Sequence, residues 1–141
     1  MEIDAKGKMN IRLFMNKDYE EVCRWWHQHG EPVPPRSLIS DYTYILENKD
    51  GTPWVCLSLI AFNTPHIAWS AGLVSNPDIP KEGRKAAVKM LWDHVAEQAR
   101  KMGYNNLLCI APNKALEKRY QELGFEVTKT NQTFLVKSLG G

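Results

Sequence analysis

Residues 51–77 contain no Asp, Glu, Lys or Arg, and an uncharged stretch of that length is compatible with few architectures. It is typical either of a membrane-spanning helix or of strands at the centre of a sheet. Pro53, Asn63, Pro65 and His66 interrupt the stretch and leave two apolar pieces, each too short to span a bilayer as a helix. We therefore expect two neighbouring strands in the core of a folded domain, and no association with a membrane.

The segments around this stretch alternate between strand and helix patterns. Turn signals separate three strand-type runs, at residues 42–47, 53–62 and 66–74, which predicts an antiparallel meander. Apolar residues at helical spacing then predict a long amphipathic helix that begins at Arg84 and ends before Gly103. The remaining elements are a strand at 10–15, a helix at 18–30, a buried-type strand at 106–111, a helix at 113–124 and a final hairpin at 125–139.

The resulting order, β-α-β-β-β-α-β-α-β-β, indicates an α/β fold. We expect a mixed central sheet of about six to seven strands with about three helices packed around it. The strand–helix–strand unit after Val74 is expected to be parallel, with a right-handed crossover. The length of 141 residues fits a single domain over 1–141, in which residues 1–9 form a loosely ordered tail.

Composition restricts the possible partners. The chain has 18 Lys and Arg against 16 Asp and Glu, a formal charge of +2, whereas a protein that coats nucleic acid needs a large basic surface. Cys23, Cys56 and Cys109 are odd in number, far apart and surrounded by apolar residues, which is typical of buried thiols in a reducing cytoplasm. His27 and His29 lie two residues apart on a predicted helix and point in different directions, so we expect no metal site.

One helix start carries an unusual charge pattern. The sequence "PDIPKEGRKAAVKMLWDHV" at 77–95 places Lys81, Arg84 and Lys85 around the first turn, where the positive end of the helix dipole repels cations. A bound anion would remove that repulsion, and Gly83 would let main-chain N–H groups approach a phosphate. The pattern predicts a phosphate site, and the alternative is a solvated basic helix end with Gly83 as a flexible turn.

Two motifs carry a resemblance to a known family. The spacing of five residues within "PNKALEKRYQELGFEV" resembles the C-terminal motif of the GCN5-related N-acetyltransferases. "VSNPDIPKEGRKA" lies where that family carries its acyl-CoA pyrophosphate loop, one helix and one strand earlier. With the predicted element order, the resemblance covers about residues 10–137. The segments "WW", "PVPPRSL", "VSNP" and "KRYQELGF" also resemble small acetyltransferase-like proteins of phage and bacterial genomes. The five residues of the C-terminal motif are Asn113, Leu116, Tyr120, Gly124 and Phe125.

The resemblance implies a site for acetyl-CoA or another acyl-CoA. In the family, the strand before the loop splays from its neighbour and its main chain bonds the pantetheine arm, a role that would fall on Leu73, Val74 and Ser75. The loop consensus Gln/Arg-x-x-Gly-x-Gly/Ala maps onto residues 80–85, where Gly83 matches. The chain departs from that consensus in having Pro80 at the first position and Lys85 at the last. The other residues expected to bind the cofactor are Lys81, Arg84, Lys85, Ala86 and Asn113.

The resemblance also implies direct transfer, in which a neutral amine attacks the thioester and the CoA thiolate leaves. The N–H of Val74 is expected to stabilise the developing oxyanion, and Tyr120 is expected to protonate the thiolate. The alternative for Tyr120 is a core aromatic on the helix face that it shares with Leu116 and Leu123.

The general base is the least defined part of this mechanism. Many family members carry a carboxylate on the strand before the loop, but residues 69–72 contain none. Glu47, His66 or ordered water are the alternatives, and a histidine that opens a strand after a proline is more often a surface residue.

The acceptor is expected to bind beside the loop "GEPVPPRSL", residues 30–38, which prolines stiffen. Arg36 offers a fork for a carboxylate or phosphate, and Glu47 and Trp25 are further candidates for acceptor binding. Trp26 continues the apolar face of the first helix and is expected to be the core residue of the pair, which leaves Trp25 freer. The alternative is that a tryptophan is simply core and Arg36 simply exposed.

The function that follows is an acyl-CoA-dependent N-acyltransferase that acts on a small-molecule or peptide amine. One alternative is a non-catalytic acyl-CoA-binding or sensing module of the same fold, which the single loop glycine and the absent strand carboxylate favour. Another is a nucleic-acid-binding domain, which the near-neutral charge disfavours. The sequence leaves the oligomeric state open, with a homodimer among the alternatives.

Overall fold

A computed structural model describes residues 2–4, 7–61, 66–131, 133, 135 and 137–140. The chain divides into two compact units, Met1–Ile110 and Ala111–Gly141, which are described separately below.

The first unit contains a mixed five-stranded sheet, and from β3 onward its described strands and helices follow the predicted order. They are β1 (Glu2–Asp4), β2 (Gly7–Lys8), β3 (Asn10–Leu13), α1 (Tyr19–Gln28), β4 (Tyr42–Glu47), β5 (Pro53–Ile60), β6 (Ile67–Ser75), α2 (Arg84–Lys101) and β7 (Asn106–Leu108). Short 3-10 turns lie at Asn16–Asp18 and Arg36–Leu38.

The strands of the large sheet are ordered β3-β4-β5-β6-β7. The pairs from β3 to β6 are antiparallel, and β7 pairs parallel with β6 after the α2 crossover, which confirms the mixed α/β sheet. The uncharged stretch supplies β5 and β6, so the strands with the least charge hold the centre of the sheet. The predicted turn between them falls on residues 62–65, which lie outside the described residues.

The segment before the sheet differs from the expected loose tail. Its strands β1 and β2 pair antiparallel as a separate two-stranded sheet, with Glu2 opposite Lys8 and Asp4 opposite Gly7. A hairpin needs only local pairing across a short turn, so apolar periodicity is not required for it to form. This hairpin was therefore not predicted, because residues 1–9 contain no apolar periodicity.

Helix α1 packs on one face of the sheet through residues spaced three and four apart. Val22, Trp25 and Trp26 form a core cluster with Ile45, Cys56 and Val74, which lie on three neighbouring strands. Trp25 is 0% exposed and Trp26 is 9% exposed, so the expectation that Trp25 is the freer of the two was wrong. The i, i+3, i+4 spacing from Val22 places both rings on the buried face.

Helix α2 contacts β4 and β5 on the other side of the sheet, as the alternation of Tyr44 with Ile45 requires. Its half-buried His94 meets the ring of Tyr44 edge-on, with centroids 4.9 Å apart. Burial lowers the pKa of His94, and the nearby charge of Lys101 adds to that effect. No helix in the described ranges is both long and apolar enough to cross a bilayer.

The second unit contains helix α3, Lys114–Glu122. The side-chain oxygen of Asn113 accepts a hydrogen bond from the N–H of Leu116 at 2.9 Å, which confirms the expected helix cap. No strand is assigned in 125–131, nor at the described positions beyond, and residues 132, 134 and 136 lie outside the described residues. The final hairpin stays a prediction, and the count of six to seven strands is not confirmed.

Candidate functional site

Strand β6 is interrupted by a β-bulge at its middle. Ser58 pairs with Ala71 and Cys56 pairs with Val74, so two β6 residues, Gly72 and Leu73, oppose a single residue of β5. Gly72 has φ +72°, a conformation that favours glycine. An isolated glycine inside a strand pattern is the sequence signal for such a bulge, and the sequence analysis did not use it.

The hydrogen bonds around the bulge show which way the main chain faces. The N–H of Asn76 donates to the carbonyl of Trp54 on β5 at 2.8 Å. Main-chain polar groups alternate between the two edges of a strand, so those of Val74 also face β5, while those of Leu73 and Ser75 face the opposite edge. The register therefore favours Leu73 and Ser75, rather than Val74, as the residues that present main-chain groups to that edge.

That opposite edge loses its neighbour before it reaches the bulge. Strand β7 pairs with residues 67–69 of β6, and its last pair joins Trp69 to Leu108. Strand β6 continues to Ser75, whereas β7 ends at Leu108. The pairing between the two parallel strands therefore stops three residues before the bulge at Gly72, and the splaying that the family resemblance implies stays a prediction.

Helix α1 braces the end of this edge. The Nε2 atom of His29 lies 2.8 Å from the carbonyl oxygen of Ser75. One turn earlier on the helix, Arg24 forms an exposed ion pair with Asp78 at 3.0 Å. The helix thus holds both the last residue of β6 and the loop that follows it.

The loop after β6 is anchored by Asn76, which is buried. Its side-chain amide donates to the carbonyl of Pro53 at 3.0 Å, and its side-chain oxygen accepts from the N–H of Asp78 at 2.9 Å. Ile79 is also buried and fixes the next residues of the loop. The Asn-Pro pair at this position is a sequence signal for a turn, but it does not reveal the burial of Asn76.

The loop ends at Gly83, the N-terminal cap of α2. Gly83 adopts the left-handed conformation with φ +82°, and its carbonyl accepts the N–H of Ala87 at 2.8 Å as the first hydrogen bond of the helix. A residue with a Cβ would be strained in this conformation. The glycine is therefore required by the geometry of the turn, and it leaves the first N–H groups of the helix uncovered by a side chain.

The cations of this turn differ in their surroundings. Lys81, Lys85 and the neighbouring Ala86 are exposed, and Arg84 is half-buried. The Nη2 atom of Arg84 donates to the carbonyl of Ile79 at 3.0 Å, whereas its buried Nε–H has no hydrogen-bond acceptor among the described residues. A buried donor without an acceptor is uncommon and marks a place where an added acceptor would be favourable.

We call the exposed surface at Ala71 and Gly72, on the α1 face of the sheet beside the bulge, the depression. The cross-strand row next to the Trp cluster consists of Thr43, Ser58 and Ala71. Ala71 and Gly72 are exposed although they lie in the middle of β6, and Ser58 is half-buried although β5 is the central strand. A Cβ built on Gly72 would lie 3.6 Å from Ser58 Oγ and 3.8 Å from Trp26 Cζ2, so these side chains border the depression.

Glu47, expected as an acceptor ligand or base, is held in an ion-pair network. Arg12 donates from Nε to Glu47 at 2.9 Å and makes two 2.8 Å hydrogen bonds to the buried carboxylate of Asp18. Burial acts to raise the pKa of Glu47, but the hydrogen bonds from Arg12 and Asn10 lower it below its ordinary value. A carboxylate in this state is a weak base, and its visible role is to join β3 to β4.

Asp18 occupies the same network and is also shifted. Burial acts to raise its pKa, but the hydrogen bonds from Arg12 and from the N–H of Met15, with the positive charge of Arg12, lower it. The Asp18 carboxylate thereby fixes the entry to α1 against β3.

The expected acceptor residues are not gathered in one place. Trp25 is buried in the core and donates from Nε1 to Glu21 at 2.9 Å, so it offers no surface to a substrate. Arg36 is exposed, donates to the side-chain oxygen of Asn16 at 2.9 and 3.2 Å, and lies 5.1 Å above the ring of Phe14. Of these residues, only Arg36 has the exposure that a substrate ligand needs.

The two remaining candidates are His66 and Tyr120. His66 is exposed and immediately precedes β6, at the end of that strand away from the loop. Tyr120 belongs to the second unit, where it is 5% exposed and its ring lies 5.9 Å from that of Phe125. In the described parts of the chain, no group of three His, Cys, Asp or Glu side chains is placed to hold a metal ion.

Comparisons with known proteins identify the fold. No family model matches the sequence, and no curated protein matches it. Among solved structures, an acetyltransferase from Trypanosoma brucei superposes with a TM-score of 0.63 at 16% identity, over 91% of this chain and 99% of that chain. The chain has the fold of the GCN5-related N-acetyltransferases.

Two further structures with this fold carry named activities. AAC(6')-Iy, solved with the bisubstrate analog CoA-S-monomethyl-acetylneamine, gives a TM-score of 0.66 at 18% identity over 92% of this chain and 99% of that chain. Glucosamine-6-phosphate N-acetyltransferase from Arabidopsis thaliana gives 0.65 at 10% identity over the same shares. Identities this low establish a common fold and leave the activity of this chain to be argued from its own residues.

Proposed function

We propose that this protein is an acyl-CoA-dependent N-acyltransferase that transfers an acetyl group directly from acetyl-CoA to an amine. The observation that carries this proposal is the β6 bulge, which lies beyond the last residue pair of β6 and β7. It leaves main-chain groups of Leu73 and Ser75 on an edge without a β7 partner, immediately before a loop that ends in a basic helix start.

The residues present fit the chemistry of CoA. Pantetheine carries amide groups, which are suited to the main-chain donors and acceptors of Leu73 and Ser75. Its pyrophosphate is suited to the positive end of the α2 dipole at Gly83, where the buried Nε–H of Arg84 has no acceptor among the described residues. The cofactor ligands we propose are Leu73, Ser75, Lys81, Gly83, Arg84, Lys85, Ala86 and, by family resemblance, Asn113, whereas the main-chain groups of Val74 are directed to β5.

When bound, acetyl-CoA supplies an activated acetyl thioester. We place the oxyanion donor at the N–H of Leu73 instead of Val74, because the main-chain groups of Val74 face β5. By family resemblance alone, Tyr120 would donate its phenolic proton to the sulfur that CoA retains. The neutral amine would form the amide bond and release its surplus proton to solvent, and the Tyr120 phenolate would regain a proton from solvent. Solvent is the proposed proton acceptor because the Glu47 carboxylate is already bound to Arg12.

The acceptor class is a small molecule or peptide with a free amine. One structural neighbour was solved with an acetylneamine bisubstrate analog, and another is named as a glucosamine-6-phosphate N-acetyltransferase. Both names support a small amine as the acceptor of this protein. Arg36 is the proposed contact for a carboxylate or phosphate on such an acceptor, since it is exposed and carries a bidentate donor.

The test combines binding with turnover. Calorimetric titration with CoA should give a measurable dissociation constant, and acetyl-CoA should release CoA and yield an acetylated product with at least one of neamine, glucosamine 6-phosphate, L-glutamate, phosphinothricin and a lysine peptide. Mass spectrometry of the product separates amine transfer from thioester hydrolysis. No CoA binding at millimolar concentration would refute the proposal.

A second candidate is a non-catalytic acyl-CoA-binding module of the same fold. The absence of a carboxylate at residues 69–72 and the single glycine in the loop favour it. Tight CoA binding without transfer to any amine of the panel would support this candidate over the enzyme.

A further inference from the structure

We infer that Ser58 binds the nitrogen of the acceptor amine as a hydrogen-bond acceptor. The inference rests on the proposed transferase function and adds a specificity residue to it. It follows from three features of the structure: the position of Ser58, the direction of its hydroxyl hydrogen, and the exposure of the small residues Ala71 and Gly72 beside it.

The position of Ser58 is set by the register of the sheet. It lies on central strand β5 directly opposite Ala71, the last residue of β6 before the bulge. A substrate nitrogen that attacks a thioester held along the edge at Leu73 must approach beside this bulge. The cross-strand row that borders the bulge contains two polar side chains, Thr43 and Ser58. Thr43 is buried, at 1% exposure, whereas Ser58 is half-buried and can be reached by a ligand.

The surface in front of Ser58 is formed by small residues that are exposed to solvent. Ala71 and Gly72 are exposed, and the nearest atoms to a Cβ placed on Gly72 are Ser58 Oγ at 3.6 Å and Trp26 Cζ2 at 3.8 Å. Ser58 and Trp26 therefore bound one depression, which offers an apolar ring on one side and one hydroxyl oxygen on the other.

The polarity of the Ser58 hydroxyl is fixed by its neighbours. Thr43 Oγ1 lies 2.7 Å from the carbonyl oxygen of Ser40, and a carbonyl can only accept, so the single hydroxyl hydrogen of Thr43 is directed there. The 2.7 Å contact between Thr43 Oγ1 and Ser58 Oγ must then use the hydrogen of Ser58. The remaining capacity of Ser58 Oγ is its lone pairs, so toward the depression it can only accept.

A group bound in this depression must therefore donate a hydrogen. A primary amine suits this requirement, because one N–H can be held by Ser58 while the nitrogen lone pair stays directed at the thioester carbon. The hydroxyl carries no charge and does not itself take the proton. Its role is to orient the attacking nitrogen. Loss of the Ser58 hydroxyl should therefore affect kcat/KM for the amine and leave the affinity for CoA unchanged.

The test compares Ser58→Ala with Ser70→Ala. Ser70 is buried, and its hydroxyl donates to the main-chain carbonyl of Ser58 at 2.8 Å. Ser70→Ala therefore removes a serine hydroxyl next to Ser58 but keeps the Ser58 hydroxyl, which makes it the matched control. With acetyl-CoA and the panel amine that reacts fastest, Ser58→Ala should lower kcat/KM for the amine by roughly three- to tenfold, as expected for one neutral hydrogen bond. The dissociation constant for CoA should not change, and Ser70→Ala should match the wild type in both quantities.

Thr43→Val provides a second test, because it keeps the Ser58 hydroxyl but frees its hydrogen. It should lower kcat/KM for the amine in the same way but by less than Ser58→Ala. Wild-type amine kinetics in Ser58→Ala, or equal losses for the amine and for CoA, would overturn the inference while the transferase function stands. No transfer by the wild-type protein to any amine would overturn both.

Discussion

Replacing Gly83 by alanine should weaken CoA binding through the backbone of the α2 start. Gly83 has φ +82°, and a residue with a Cβ in this left-handed region costs about 1–2 kcal/mol. The free protein can relieve that strain by leaving the conformation, at the expense of the hydrogen bond from Ala87 N–H to the Gly83 carbonyl. Binding of the pyrophosphate would then have to restore the strained geometry.

The free energy of CoA binding should therefore weaken by up to the full strain energy. This corresponds to a rise of roughly five- to thirtyfold in the dissociation constant for CoA. The assay is calorimetric titration with CoA, accompanied by urea unfolding of the same variants. Gly83→Val should have a larger effect, because a β-branched side chain is more strained at positive φ.

Gly103→Ala is the matched control. Gly103 follows the opposite end of the same helix with φ +97°, and a Cβ there would meet nothing within 4 Å. Both alanine variants should lose similar stability toward urea, but only Gly83→Ala should lose CoA affinity. Equal CoA affinity in the two variants and the wild type would refute the assignment of the phosphate site to this turn.

Three further predictions concern other parts of the chain. Tyr120→Phe should lower turnover by a factor within about 10²–10⁴ with little change in CoA affinity, and unchanged turnover would remove Tyr120 from the mechanism. Because the pKa of Asp18 is lower in the folded state than its ordinary value of 3.8, its ion pair with Arg12 stabilises the fold above that value and is lost as the pH falls through the folded-state pKa. Asp18→Asn should therefore flatten the acid dependence of urea stability, whereas an unchanged slope would mean that other groups control it. Burial raises the pKa of Cys56, and raises that of Cys109 to about 11, so both thiols should react slowly with 5,5'-dithiobis(2-nitrobenzoate) in native protein and quickly in urea. Rapid modification of both in the native protein would contradict the burial of Cys56 and the raised thiol pKa of the half-buried Cys109.

Periodicity predicted the elements with a strong repeat and failed where neighbours decide the outcome. The helix over 84–101 could be placed from spacing because one of its faces is apolar, and the strands at 42–47 and 53–60 could be placed because turn signals separate two apolar runs. The burial of Trp25 was missed since both tryptophans satisfy a helical repeat, and only the facing strands show how wide the buried stripe is.

The functional candidates show the same division. Glu47 is a candidate base in the sequence because residues 69–72 contain no carboxylate. Its partner Arg12 lies 35 positions away and becomes visible only through strand pairing. The cap at Asn113 depends on residues three positions apart, and it was predicted correctly. Local contacts are readable from sequence, whereas the partner that decides a side chain's protonation state is usually distant in the chain.

The bulge at Gly72 connects the core to the site. In a regular strand, the residue opposite Cys56 would be Leu73, two positions after Ala71, but the extra residue brings Val74 there instead. Val74 thereby packs beneath α1 with the tryptophans, and the main-chain groups of Leu73 turn to the edge that β7 leaves unpaired. One glycine thus satisfies two requirements that a regular strand cannot meet together. It keeps Val74 in the core cluster, and it directs the main-chain groups of Leu73 to the edge of β6 that has no β7 partner. The β6 bulge leaves the core packing intact and lies beyond the last residue pair of β6 and β7. Bulges in such positions are typical of binding sites.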